Sequence, residues 1–410
     1  MESKYDIVFA CKAEYINRQI REQKIAFLDA FDYQNGKLSA SIPEFQIGLA
    51  EGDKYMAVDL TMRNVKLKLG SISEQHDTVK SRVYLQFSFT DEENVRFVCK
   101  TVADGKKDET FGAIWVENAD MEGVIQNEDL QDAFVTILAK ALIEQEAKIG
   151  IVLASLKKKY FQPLGITIFK SVPAFQNLNG IPVMAVMCMT KNTAEEPSRQ
   201  FSPELLSGYD LGYIMRREVF LEKFLLPHIH ELLNIGSGQF KVYQDNSIVN
   251  KDTVYMQSVR VGAIDYPVSA HLIKLEFNGD YLHLLVEGTA DFTGLANSYI
   301  SYTFHAVRQS SFSSSNGGKV SFERVPGIKD EYHSDKHIPL WIEITAGIFT
   351  MGLFNLISEL IADEIKSKAG GLFTDIHFNG NDGGYSVTWA NANLEFSDGG
   401  YAGNFYMRSK

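Results

Sequence analysis

Nine histidines and three cysteines are the residues of this chain best suited to holding a metal ion or acting as a nucleophile. His228 and His230 stand two apart, which on a helix turns their rings to nearly opposite sides and denies one ion both nitrogens. No third ligand follows at helical spacing, so the pair reads as a surface or capping pair. His333 and His337, with Asp335 between them, are better spaced. They fall in a polar stretch before Pro339, where a loop without metal is expected. Cys11, Cys99 and Cys188 are odd in number and far apart, with no zinc or redox spacing, and are expected as three buried thiols in a reducing compartment.

Other motifs are equally incomplete. Gly380 to Gly384 and Ser397 to Gly403 each resemble one turn of a calcium-binding glycine repeat, but such turns share ions only when stacked, and two hairpin turns are the simpler expectation. Gly236, Ser237 and Gly238 lack the Lys and Ser/Thr that a phosphate loop requires and read as a helix end. No serine sits in a Gly-x-Ser-x-Gly elbow, and no carboxylate pair can be singled out as acid and base. The sequence therefore predicts no catalytic residue, no metal, no cofactor and no enzyme activity.

The bulk numbers narrow the classes further. A net charge of −12 opposes nucleic acid, which is bound by releasing counterions against a basic surface. Lys157 to Lys159 form a basic run, which reads as a solvated loop. Ile344 to Ser358 is uncharged for about 15 residues, short of a membrane span, and is expected as a buried helix. Peripheral contact with a membrane stays open. The first 15 residues carry no signal-peptide pattern, so synthesis in the cytoplasm is expected.

At 410 residues the chain exceeds what one core usually fills, so two domains are expected. The Pro-, Ser- and Glu-rich stretch from Glu195 to Ser207 places the junction at 200/201, giving domains 1–200 and 201–410. Helical period predicts four apolar stripes: Phe9, Ala13, Ile16 and Ile20; Leu130, Phe134, Ile137 and Ala141; Leu221 to Ile235, kinked or restarted at Pro227; and Phe349, Leu353, Leu356 and Leu360. Between them the period becomes two. Val83 to Phe89 with Val95 to Cys99 predicts one hairpin, and Ile273 to Phe277 with Leu282 to Val286 around Asn278-Gly279 predicts another. Helix, strands, helix thus recurs with a period near 205 residues. A one-sided antiparallel sheet must cover its apolar face, and a helix laid across a curved sheet can leave an apolar slot.

The segment YDIVFACKAEYINRQI (Tyr5 to Ile20), with VGAIDY (Val261 to Tyr266) and KHIP (Lys336 to Pro339), resembles the forty-seven-kilodalton accessory proteins encoded beside botulinum neurotoxins in OrfX-type clusters. The resemblance implies the tubular lipid-binding superfamily, called TULIP, which includes bactericidal/permeability-increasing protein. It implies an α+β fold of two such domains, each a curved antiparallel sheet wrapped around long helices. It also implies a lipid or fatty acyl ligand, or else partners among toxin and sister accessory proteins, with release alongside a toxin as the later fate. Phe9, Ile16, Ile20, Phe224, Leu232, Phe349, Leu353 and Leu360 are the expected apolar lining. The rival expectation is a scaffold whose groove is filled by side chains and which binds only protein.

Overall fold

The computed structural model describes residues 4–410 except 52–54, 90, 92, 100–114, 118–127, 159–160, 162–164, 193–197, 228, 230–237, 244–246, 257, 262, 295–296, 315–318, 338–376, 380–386 and 390–395. The described residues are mostly strand with few helices. Two compact units emerge. The first comprises Met1–Ile214, Asn381–Phe396 and Met407–Lys410, and the second Met215–Gly380 and Ser397–Tyr406.

The first unit opens with β1 (Ile7–Lys12), which runs directly into α1 (Ala13–Glu22). Here the structure corrects the helix expected from Phe9 onward. Ile7 to Cys11 is an unbroken buried run that pairs with a neighbouring strand, and a short, wholly apolar run carries no period that separates strand from helix. The helix begins only at Ala13, and at 10 residues it is not long. A sheet follows in the order β2 (Leu28–Tyr33), β3 (Leu38–Glu51), β4 (Tyr55–Leu69), β5 (Ile72–Phe89), β6 (Asn94–Val98) and β7 (Val152–Leu156), paired antiparallel. The expected hairpin is present as β5 and β6: Phe89 opposes Val95, and the Asp91 carboxylate accepts from the Glu93 and Asn94 amides at 2.8 and 2.6 Å.

The β3–β4 ladder changes register three times, between Ser39 and Ser41, between Ser41 and Glu44, and between Ile47 and Ala50. Each irregularity bends and twists the pair, and together they curl this side of the sheet. The second helix, α2 (Glu128–Glu144), is 17 residues long and buries Phe134, Ile137 and Ala141 of its expected stripe. The other sheet of the unit joins β8 (Lys170–Leu178), β9 (Ile181–Met189), β1 and β10 (Leu211–Met215), in that order.

In the second unit Arg217–Phe220 forms one helical turn that passes into a π-helical turn, Leu221–Leu225. The expected break near Pro227 thus takes the form of a widened turn just ahead of the proline, whose missing N–H cannot bond the Lys223 carbonyl. Phe220 lies flat on Phe405, centroids 5.1 Å apart, within a cluster with Phe277 and Phe322. The sheet has β11 (Val268–Asn278), β12 (Tyr281–Asp291) and β13 (Tyr299–Ser313) at its centre, with β14 (Lys319–Arg324) and β15 (Glu331–His337) both against β13. Asn278 opposes Tyr281 in the expected hairpin, and Gly279, at φ +60°, takes the left-handed turn position. The fourth expected helix, from Phe349 to Leu360, lies outside the described residues.

Candidate functional site

The first unit contains a cleft of about 930 Å³. Its construction follows from where β2 stops. β2 accompanies β3 from Leu38 to Ile42, and at Pro43, which has no N–H to donate, that pairing ends. Beyond it α1 takes over the exposed edge. The buried Asn17 amide acts as a short substitute strand: its Nδ2 donates to the Ile47 carbonyl and its Oδ1 accepts from the Ile47 N–H, each at 2.8 Å. Between Pro43 and this pin no strand among the described residues pairs with the edge of β3, and the cleft opens there.

Its floor is three cross-strand rows: Glu44, Thr61 and Lys80; Phe45, Leu60 and Ser81; Gln46, Asp59 and Arg82. The middle row turns the other way, into the core, where Phe45, Leu60 and Ser81 are buried and Phe45 is backed by Phe27 and Phe97 at 5.4 and 6.2 Å between centroids. The wall is the end of α1. Ile25 N–H donates to the Ile20 carbonyl and Lys24 N–H to that of Arg21, which is the paired bonding that closes a helix with one left-handed residue. That geometry also sets Ile20 and Ile25 together, and both face the cleft. The left-handed residue is Lys24, at φ +52°.

Six charged side chains line the cleft, and four are neutralised within the protein. Arg82 makes a forked pair with Asp59 at 2.7 and 3.1 Å, Glu44 faces Arg63 at 3.5 Å, and Arg21 holds Glu14 at 2.8 Å. Lys24 and Lys80 have exposed side chains that, among the described residues, enter no ion pair or side-chain hydrogen bond. Between Lys80 and Arg82 in sequence, the buried Ser81 hydroxyl has no hydrogen-bond partner among the described residues.

Of the expected lining residues, Ile20 stands on the cleft. Phe9 is buried on β1 against Tyr213 and Phe161, and Ile16 is fully buried on α1 away from the cleft wall. Phe224 lies in the π-helical turn, while Leu232, Phe349, Leu353 and Leu360 fall outside the described residues. Ile25, Phe45, Leu60, Lys24 and Lys80 were not among the expectations. Their signal in the sequence is slight: a lysine stands just past the stripe where a glycine would usually close the helix.

The histidine motif also differs from expectation. His333 and His337 lie on a strand, β15, and not in a loop, because register with β13 sets Asp335 opposite Ser301 and His337 opposite Tyr299. Among the described residues no group of three His, Cys, Asp or Glu side chains can hold a metal ion. Burial pushes all three thiols upward, Cys188 to about 12, which favours the neutral thiol over the thiolate at neutral pH.

Residues 176–380 match the OrfX-like family, described as protein OrfX2/OrfX3/P47. The chain belongs to this family. Among solved structures it is similar to P47 from Clostridium botulinum A2, with a TM-score of 0.77 at 16% identity over 99% of this chain and 97% of that one. P47 of Clostridium botulinum E1 gives 0.76 at 18% identity over 99% and 98%. At that identity the OrfX-like likeness is one of fold. Lipopolysaccharide binding protein aligns at a TM-score of 0.29 and 8% identity, over 99% of this chain and 98% of that one, too low to establish a common fold. No curated protein matches the chain.

Proposed function

We propose that this protein is a non-catalytic, lipid-binding accessory protein of the toxin-cluster type, built from two TULIP-like domains, and that the cleft of the first unit holds an acyl chain. The observation that carries the reading is the cleft itself, since about 930 Å³ is the size of a small-molecule site and its lining includes the apolar Ile20, Ile25, Phe45 and Leu60. Each methylene buried there contributes about 0.8 kcal/mol, so a tail of about ten methylenes or more is needed to approach micromolar binding, without any covalent step. Native mass spectrometry after gentle purification should find co-bound lipid, and the stripped protein should take up a fluorescent fatty acid. A lipid-free preparation that also refuses the fatty acid refutes the reading.

One observation favours a scaffold instead. Phe9 and Ile16, expected along a groove, are packed into the core, and much of the cleft surface is polar. A filled interior with a wet notch suits a protein that binds a toxin or sister protein through its exterior. Pull-down against the neighbouring gene products separates the two, because the scaffold retains protein and no lipid.

A further inference from the structure

We propose that the open edge of β3 at Phe45 takes an extended polypeptide segment of a partner protein, which adds there as a short antiparallel strand in line with β2. This goes beyond the lipid reading and does not rest on it.

Backbone direction along β3 decides which groups are on offer. In an antiparallel ladder the N–H and C=O of one residue point to the same side, and successive residues point to opposite sides. Ile47 gives both groups to the Asn17 carboxamide, away from β4. Gln46 therefore turns to Asp59 of β4, Phe45 turns to the edge, and Glu44 turns back to Thr61. Toward β2, the Ile42 carbonyl also faces the edge and accepts from the Phe27 N–H at 3.0 Å. Phe45 is thus left between two occupied positions, its edge-facing donor and acceptor without a partner among the described residues.

The Asn17 pin shows what this edge accepts, since one carboxamide completes Ile47 with two bonds of 2.8 Å. A residue of an extended chain presents the same donor and acceptor to Phe45, which is how a strand adds to a sheet edge. From Ile42 to Ile47 the edge runs about 17 Å at the antiparallel rise, and the Phe27 and Asn17 contacts take its two ends, leaving length for about three added residues.

Side-chain direction sets the sequence that fits. Residues opposite each other in a sheet point to the same face, so the one paired with Phe45 turns to the core, where the buried Phe27 ring already stands 5.4 Å from that of Phe45. A small side chain is required there. Its neighbours turn outward beside the exposed Glu44 and Gln46, on the cleft side, where polar residues are accommodated. The occupant is an extended segment with glycine or alanine between polar residues.

The probes are end-capped pentapeptides, Ser-Thr-X-Thr-Ser, with X glycine, alanine or leucine, and the alanine peptide with its central nitrogen methylated. Backbone NMR of the isotopically labelled full chain, titrated to low millimolar peptide, should show the Phe45 amide moving most. Glycine and alanine peptides should bind more tightly than the leucine one, and methylation, which removes the donor to the Phe45 carbonyl, should weaken binding roughly fivefold or more, the effect of one hydrogen bond. Without peptide, the Phe45 N–H should exchange with solvent faster than those of Glu44 and Gln46. Equal protection of all three amides, equal binding of the methylated peptide, or no peptide that shifts Phe45 would overturn the proposal. A Phe45 shift that grows with protein concentration alone would assign the edge to a second copy of this chain and overturn the choice of partner. Dodecanoate, titrated separately, reports on the lipid reading: its failure leaves the strand site standing, and its binding does not rescue a site that no peptide occupies.

Discussion

Each unit is centred on three long antiparallel strands, yet only one of these ladders opens into the cleft. In the first unit the β3–β4 ladder breaks register three times and its edge is handed from β2 to a helix side chain. In the second, β12 and β13 pair without interruption from Tyr281 opposite Gln309 to Asp291 opposite Tyr299, and β11 shifts once, between Ala270 and Leu272. At that shift Tyr302 reaches across Gly288 and donates to the Ser269 carbonyl at 2.9 Å, covering the irregularity with a ring. An irregular ladder left uncovered makes a site; the same kind of irregularity with an aromatic lid makes core.

The comparison can be broken most severely at the lid. A Cβ on Gly288 would stand 2.0 Å from the Ser269 carbonyl oxygen and 2.4 Å from the Tyr302 hydroxyl, so Gly288→Ala must displace backbone. It should cost about 3 kcal/mol or more in chemical denaturation, a value at the upper end for overpacking. In the first unit, Asn17→Ala strands the buried Ile47 N–H and carbonyl together, and about 2 kcal/mol is expected from the same measurement. It should also widen the cleft edge, seen as faster amide exchange along β3. Equal and small losses at the two positions would mean that neither device holds its ladder.

The smallest effect concerns pH and only the second unit. His283 on β12 and His305 on β13 approach to 3.3 Å between ring nitrogens. Burial, and then the neighbouring His305, hold the His283 ring below its ordinary value of 6.5, although Glu276 opposes this. Lys274, Glu287 and Glu331 share that face of the sheet, and Asp330, paired with Arg308 and Arg324, lies near His305. Because the unfolded chain takes up the proton more readily, this contribution to stability is complete above about pH 6.5. It is lost as the pH falls through the lower folded value. Melting temperature against pH should therefore slope more gently in His283→Gln than in wild type over that window.

How much of this was legible in the residues varies with the kind of signal. Period two around Asn278-Gly279 gave the central hairpin of the second unit, because a turn that needs positive φ and alternating strands both leave marks in the sequence. Period 3.6 gave α2 and the later part of α1. It misled at Phe9, where a buried central strand has no polar face and its spacing to Ile16 matched a helix by coincidence. The cleft left almost no mark. It depends on Pro43 ending one pairing and on Asn17 meeting Ile47 across 30 residues, a tertiary relation that neither residue announces by itself.

The central claim is that the notch beside α1 is where a ligand lies. Ala26 is small, half-exposed and on the cleft wall, so Ala26→Trp should fill the notch without disturbing the buried Phe45 and Leu60 beneath it. Titration of a fluorescent fatty acid should show saturable binding to the wild type and its loss in Ala26→Trp, with both proteins melting at similar temperatures. Undiminished binding to the filled variant, or none to the wild type, would contradict the account.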